Sequence, residues 1–299
     1  MRQVIFISIL IFASQIVLGQ KVLSKIDSIS SNEEVEKFIH SLIKKKKEFT
    51  LIADSANTQP FYKTDFDNNG LTDLLAIGSL PTGYTMSKGR DSIIYSFDTF
   101  IVMNFGKDSV KMMSLGKGLM PDFELPKITN DTILTLGQKK LIFKFGNFIE
   151  FNPRPKIYKI KKIEYQTSPC YGTCPVFSIQ IKEDKLGIFK AENHNSKTGV
   201  SIIDYLDDKA SLKETRGTFK AVISDDAYSN IVDLLNYIDF PSLDENYSVN
   251  WTDDQSCFLK ITYDSGKKKK ISDYGLIGTY GLDRLYELIF ELRFNQKWK

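Results

Sequence analysis

Apolar residues recur along this chain with two periods, and the switches between them outline the fold. Between residues 32 and 47 they fall three and four apart, so Val35, Phe38, Ile39, Leu42 and Ile43 form one helical stripe. Short strand-like runs follow at 49–53, 74–77, 99–105, 109–115, 132–136 and 140–145, joined by short connections rich in Gly, Asn and Asp. At 151–156, Pro153 and Pro155 force extended backbone and interrupt any sheet ladder, which marks a domain boundary. Beyond it strands are expected at 158–165, 176–182, 186–191 and 217–222, and a hairpin at 257–263 and 268–274. A helix over 225–238 has Ser224 as its N-cap, Asp225 and Asp226 against its dipole, and Ile231, Leu234, Leu235 and Ile238 facing inward. A last helix, about 279–294, buries Leu282, Leu285, Leu288, Ile289 and Leu292. The pattern predicts an α+β protein of two domains, 20–152 and 157–299, each an antiparallel sheet with one or two packed helices. The polar stretch 192–216 reads as a long loop or insertion.

The first twenty residues do not belong to that fold. Arg2 precedes an apolar run from Val4 to Leu18, and Val17 and Gly19 are small enough to precede a cleavage point. Residues 1–19 therefore read as a signal peptide, with Gln20 as the mature N-terminus and a periplasmic or secreted destination. Ser8, Ser14 and Gln15 break a run already short for a membrane span, and no second apolar stretch approaches that length. No cysteine follows the run, which argues against a lipid anchor. The remaining chain, about 280 residues, is long enough for two ordinary domains.

Charge excludes one class of partner. With 40 basic and 37 acidic residues the net charge is only +3, too small to imply a nucleic-acid surface. The basic runs have local explanations: Lys44 to Lys47 closes the first helix, and Lys267 to Lys270 reads as a charged edge strand.

The strongest chemical signal is Asp65-Phe66-Asp67-Asn68-Asn69-Gly70-Leu71-Thr72-Asp73. Carboxylate or amide oxygens at positions 1, 3, 5 and 9, with Gly at 6 for the sharp turn, suit the oxygen shell of calcium. Asp65, Asp67, Asn69 and Asp73 would supply side chains and Leu71 its carbonyl. Ala76 stands where an EF-hand has its twelfth-position Glu, and the loop enters a strand-like run instead of a helix. In that respect it resembles the calcium loops of the FG-GAP and VCBS class found in integrin-type propellers and secreted bacterial proteins. The unit occurs once, so the resemblance is confined to the loop and implies a structural calcium site, not a propeller. The alternative is an ordinary Asp/Asn/Gly turn.

Two of the three cysteines, Cys170 and Cys174, lie in Ser168-Pro169-Cys170-Tyr171-Gly172-Thr173-Cys174-Pro175. Export favours oxidation. A zinc knuckle lacks co-ligands, since Cys257, His40 and His194 show no paired spacing. A redox pair normally has two intervening residues at a helix start, whereas three intervene here and Val176-Phe177-Ser178-Ile179 leads into a strand. The reading is a disulfide closing a tight loop, worth about 2 kcal/mol, with reduced or reactive thiols as the alternative. Cys257 reads as a buried thiol within a strand. Together with the helix near 224–238 and Thr252-Asp253-Asp254 before a hairpin and final helix, the Cys-x-Gly-x-Cys-Pro core resembles the DUF6438 domain, over about 159–299. That resemblance implies an exported protein of bacterial, often Bacteroidetes, origin and a small α+β domain; it carries over no catalytic residue.

Catalytic patterns are weak. His40 sits on a helix and His194 in a polar loop, no Gly-x-Ser-x-Gly elbow is present, and adjacent Asp253 and Asp254 would point to opposite faces of a strand and read instead as loop or turn residues. The expectation is a non-enzymatic binding or structural protein of the cell envelope or exterior, meeting a protein or glycan, with no nucleic acid and no transmembrane segment after cleavage. The alternative is a thiol-dependent or hydrolytic envelope enzyme.

Overall fold

A computed structural model describes residues 24–43, 49–52, 59–87, 90–107, 109–116, 125–129, 132–196 and 214–299, with backbone alone for 81–87 and 90–96. The expected signal peptide at 1–19, the mature start at Gln20, the Lys44 to Lys47 run and the middle of the polar stretch, 197–213, lie outside the described residues.

The chain begins with helices α1 (Lys25–Ser28) and α2 (Asn32–Leu42), each started by a capping box, from Ser24 with Asp27 and from Ser31 with Glu34. Strands β1 (Thr50–Leu51), β2 (Phe61–Thr64), β3 (Asp73–Ser87), β4 (Arg90–Asn104) and β5 (Val110–Ser114) form an antiparallel sheet in the order β1-β3-β4-β5, with β2 also on β3. Strands β6 (Pro126–Thr129), β7 (Ile133–Leu136), β8 (Lys139–Lys144) and β9 (Asn147–Glu150) form a four-stranded meander. The third sheet contains β10 (Ile160–Thr167), β11 (Val176–Lys182), β12 (Leu186–Asn193), β13 (Gly217–Val222), β14 (Asn246–Ser248), β15 (Ser256–Tyr263) and β16 (Lys267–Tyr274), in the order β13-β12-β11-β10-β15-β16-β14. Helices α3 (Asp225–Tyr237) and α4 (Tyr280–Asn295) cover one of its faces. The protein is α+β, as expected, but with two sheets before residue 151 instead of one. Its single parallel pairing among the described strands joins β14 to β16.

Alternation along the strands distributes the apolar residues among three cores. Leu74, Ala76, Phe100 and Val102 meet α1 and α2 on one face of the first sheet. Leu75, Ile77, Ile101 and Met103 on the other face meet Leu134, Leu141 and Phe148 of the meander. In β9, Phe148 faces that second core while Ile149 joins the third, where β10, β11, β12 and β15 pack on α3 and α4. The meander thus lies between the two larger sheets. The Glu150 carboxylate accepts from the Tyr280 and Gly281 N–H groups at 2.7 and 2.8 Å, so a residue of the meander satisfies the first turn of α4. Tyr280 in turn donates its hydroxyl to the Leu115 carbonyl at 3.0 Å.

Several local expectations change. β3 and β4 run past residues 77 and 99 because a register shift between Pro81 and Gly83 accommodates residues that read as a loop. The pattern carries strand through Phe145 and does not predict β9, whereas Phe145 (φ 56°) and Gly146 (φ 79°) form the two-residue turn of a hairpin. Ser224 occupies the N-cap position of α3 without making a side-chain cap bond. In the 267–270 run, β14 pairs only with 272–274, so the run keeps an edge. Lys269, however, is buried and donates to the Leu243 carbonyl.

Candidate metal centre

The loop between β2 and β3 is built by its own acidic residues. Asp65 accepts from the Asn69 and Gly70 N–H groups at 3.1 and 2.8 Å, which coils the chain around its carboxylate. Asp67 accepts from the same Asn69 N–H at 3.2 Å. Asn68 (φ 57°) and Gly70 (φ 82°) take the left-handed backbone that this coiling demands, as Asn and Gly do most readily. Asp73 opens β3 fully buried, and its two oxygens accept from Phe66 N at 2.8 Å and Asn104 N at 2.7 Å. One oxygen from each of Asp65, Asp67 and Asp73 lies within 4.8 Å of the others.

Three carboxylates so close are electrostatically uncomfortable. Burial pushes the Asp73 carboxyl up to about 6, against the two N–H donors, and the charges of Asp67 and Asp65 add to the rise. Asp67 is also raised, by burial first and then by Asp65. Asn69 and Leu71 stand differently from the carboxylates. The Asn69 amide oxygen accepts from Leu71 N at 2.7 Å, and its nitrogen donates to Asp67 at 3.1 Å and to the Asn104 carbonyl at 2.8 Å. The donor chemistry fits a hard divalent cation through its carboxylates, while Asn69 braces the loop.

Asn104, at the end of β4, completes the site from outside the acidic loop. It is buried, its N–H binds Asp73, and its side chain holds both the Thr72 carbonyl and Gly106 N, tying the loop to the β4–β5 turn. The only hint in the sequence is the turn signal Asn104-Phe105-Gly106, which does not point to residue 73. Thr72 also donates to Asp27 of α1.

The cysteine loop joins β10 to β11. Cys170 and Cys174 stand at disulfide distance, with Cα atoms 5.8 Å apart. The loop is sewn to residues 253–256. Gln255 donates its amide to the Ser168 and Pro175 carbonyls at 2.8 and 2.9 Å, and Tyr171 N reaches the Asp253 carbonyl at 3.0 Å. Asp254 accepts from the Trp251 indole N–H at 3.0 Å and lies with Asp253 in the loop before β15. Cys257 is free and buried, and burial pushes its thiol up to about 12. His40 is exposed, with its Nε2 2.7 Å from Phe49 N, and His194 is exposed in the loop after β12.

A DUF6438 domain, described as a domain of unknown function, is found at residues 161–293, from β10 into the last turn of α4. No curated protein and no solved structure matches the chain. Among the described residues no helix is long and apolar enough to cross a membrane.

Proposed function

We propose that this chain is an exported, non-enzymatic binding or structural protein of the bacterial envelope or exterior, whose N-terminal half is fixed by calcium at residues 65–73. The observation that carries the calcium reading is the convergence of Asp65, Asp67 and Asp73, whose mutual repulsion a cation removes. In this reading the three carboxylates hold the ion and the Leu71 carbonyl adds to its shell, which the Asn69 amide oxygen completes by exchanging its bond to Leu71 N for the ion. The ion joins β2 to β3 and, through Asn104, to the end of β4, a structural task suited to the weak affinities of extracellular modules. Cys170 and Cys174 form a staple holding the loop against 253–256, and the buried Cys257 speaks against thiol chemistry.

Calorimetry with and without chelator tests the calcium reading. Calcium is expected to raise the melting temperature of the intact protein and leave an Asp65→Asn variant unmoved, and coincident curves for the intact protein overturn the reading. Export is tested separately by fractionating the source cells and sequencing the mature N-terminus, expected at Gln20.

A further inference from the structure

The seven-stranded sheet has a second face, turned away from α3 and α4, and strand register fixes what it displays. Ser178, Gln166, Phe258 and Ser272 are successive cross-strand partners and form one row over β11, β10, β15 and β16. The next row is Gln180, Glu164, Lys260 and Lys270, and the third is Lys182, Lys162, Thr262 and Lys268. A shallow open groove of about 540 Å³ runs over the first two rows, bordered by Glu245 and by Asn246, the first residue of β14.

Three properties of this face are costly unless it is used. Lys162 lies directly opposite Lys182, and Lys260 opposite Lys270, like-charge pairs that destabilise a sheet. Glu164 alone bridges the two sets, at 2.8 Å from Lys162 and 2.9 Å from Lys260, while Lys182, Lys268 and Lys270 have no carboxylate partner among the described residues. Gln166, Gln180, Ser178 and Ser272 make no side-chain hydrogen bond among the described residues, and Phe258 is 49% exposed. The rows thus set uncommitted neutral donors and acceptors beside five lysines and one carboxylate, with Glu245 at the groove's border as a second.

We propose that this groove binds an acidic polysaccharide, whose hydroxyls meet the amide and hydroxyl row and whose carboxylates meet the lysine rows. Charge complementarity selects an anion. The neutral row selects one rich in hydroxyls, with Phe258 as the apolar face for a sugar ring. A single-stranded nucleic acid suits the face less well, because it calls for several stacking aromatics where the rows hold one and no arginine. A lipid surface suits it less because Lys260 and Lys270 sit in a groove beside the carboxylates of Glu164 and Glu245, which an anionic headgroup plane would press against. The proposal rests on the reading of the chain as a binding protein, but not on the calcium loop, which lies in a different sheet.

Titration of the full chain with polygalacturonate, in chelator so that calcium cannot bridge, tests it. Neutral dextran, a single-stranded oligonucleotide and phosphatidylglycerol vesicles serve as comparators. Saturable binding to polygalacturonate, tighter than to any comparator and weakened by salt, is expected. The Lys260→Gln/Lys270→Gln variant is expected to weaken it by roughly tenfold or more, whereas Lys127→Gln on β6, an equal loss of charge per residue elsewhere, leaves it unchanged. Phe258→Ala should weaken binding without altering its salt dependence. Absence of saturable binding, equal loss in Lys127→Gln, or tighter binding to oligonucleotide or vesicles overturns the proposal. Loss of polysaccharide binding with calcium-dependent melting intact defeats this proposal alone, and the converse defeats the calcium reading alone.

Discussion

Replacing Asp67 by Asn should change stability with opposite signs in chelator and in calcium. At pH 8 a pair of carboxylates with oxygens at most 4.8 Å apart repels by about 0.9 kcal/mol at the dielectric of water and about 3.5 at an effective value of 20. Asp67 is partly exposed, which places it near the lower figure. Asp67 faces two such carboxylates, about 1.7 kcal/mol together, and the variant loses the acceptor for the exposed Asn69 amide, so the net gain in chelator is roughly 0.5–1 kcal/mol. Calcium inverts the balance. At about 20 mM calcium, a site with an extracellular-type dissociation constant of about 0.1–1 mM stabilises the native state by about 2–3 kcal/mol. The variant, lacking one carboxylate of three, forgoes most of that and should end roughly 1–2 kcal/mol below the parent. At about 2–4 °C per kcal/mol for a chain of this size, the variant should melt about 1–3 °C higher in chelator and several degrees lower in calcium. Scanning calorimetry of both proteins in both buffers reads this directly. An Asp67→Asn shift of the same sign and size in the two buffers would refute the reasoning, because it would make the loop an ordinary turn.

Glu150→Ala removes two charge-assisted bonds to the first turn of α4 and should cost about 2 kcal/mol by urea denaturation, with Glu150→Gln losing less. Cys257 should resist thiol reagents in the native protein at pH 8 and react only on unfolding, with Cys170 and Cys174 becoming reactive after reduction, all measurable by mass spectrometry of alkylated peptides. Asp98 is raised, by burial first and against hydrogen bonds from Ser114, Thr99 N and Gly116 N. Its neutral form is favoured on folding, so that contribution is full below the unfolded pKa and is lost as pH rises through the folded one. Asp98→Asn should therefore flatten the fall in urea midpoint between acid and neutral pH.

The local pattern of this chain was enough for the helices at 225 and 280, the strands at 176–182 and 217–222, and the acidic loop at 65–73. Each depends on near neighbours: a 3.6 or 2.0 period, a cap, or oxygens spaced two apart around a glycine. The DUF6438 resemblance was legible for the same reason, since its cysteine core is a contiguous string. Tertiary structure decided what distant residues do to one another. Asn104 closes the acidic loop from 31 residues away, Glu150 caps a helix from 130 away, and Gln255 ties down a cysteine loop 80 to 87 residues earlier. Nothing in the string pairs these residues, because the hydrogen bonds form only after distant strands have paired and, for Glu150, after the meander has packed on α4. The lysine rows make the same point. Lys162 and Lys182, or Lys260 and Lys270, read separately as solvated charges, and only antiparallel register sets them side by side on one uncovered face.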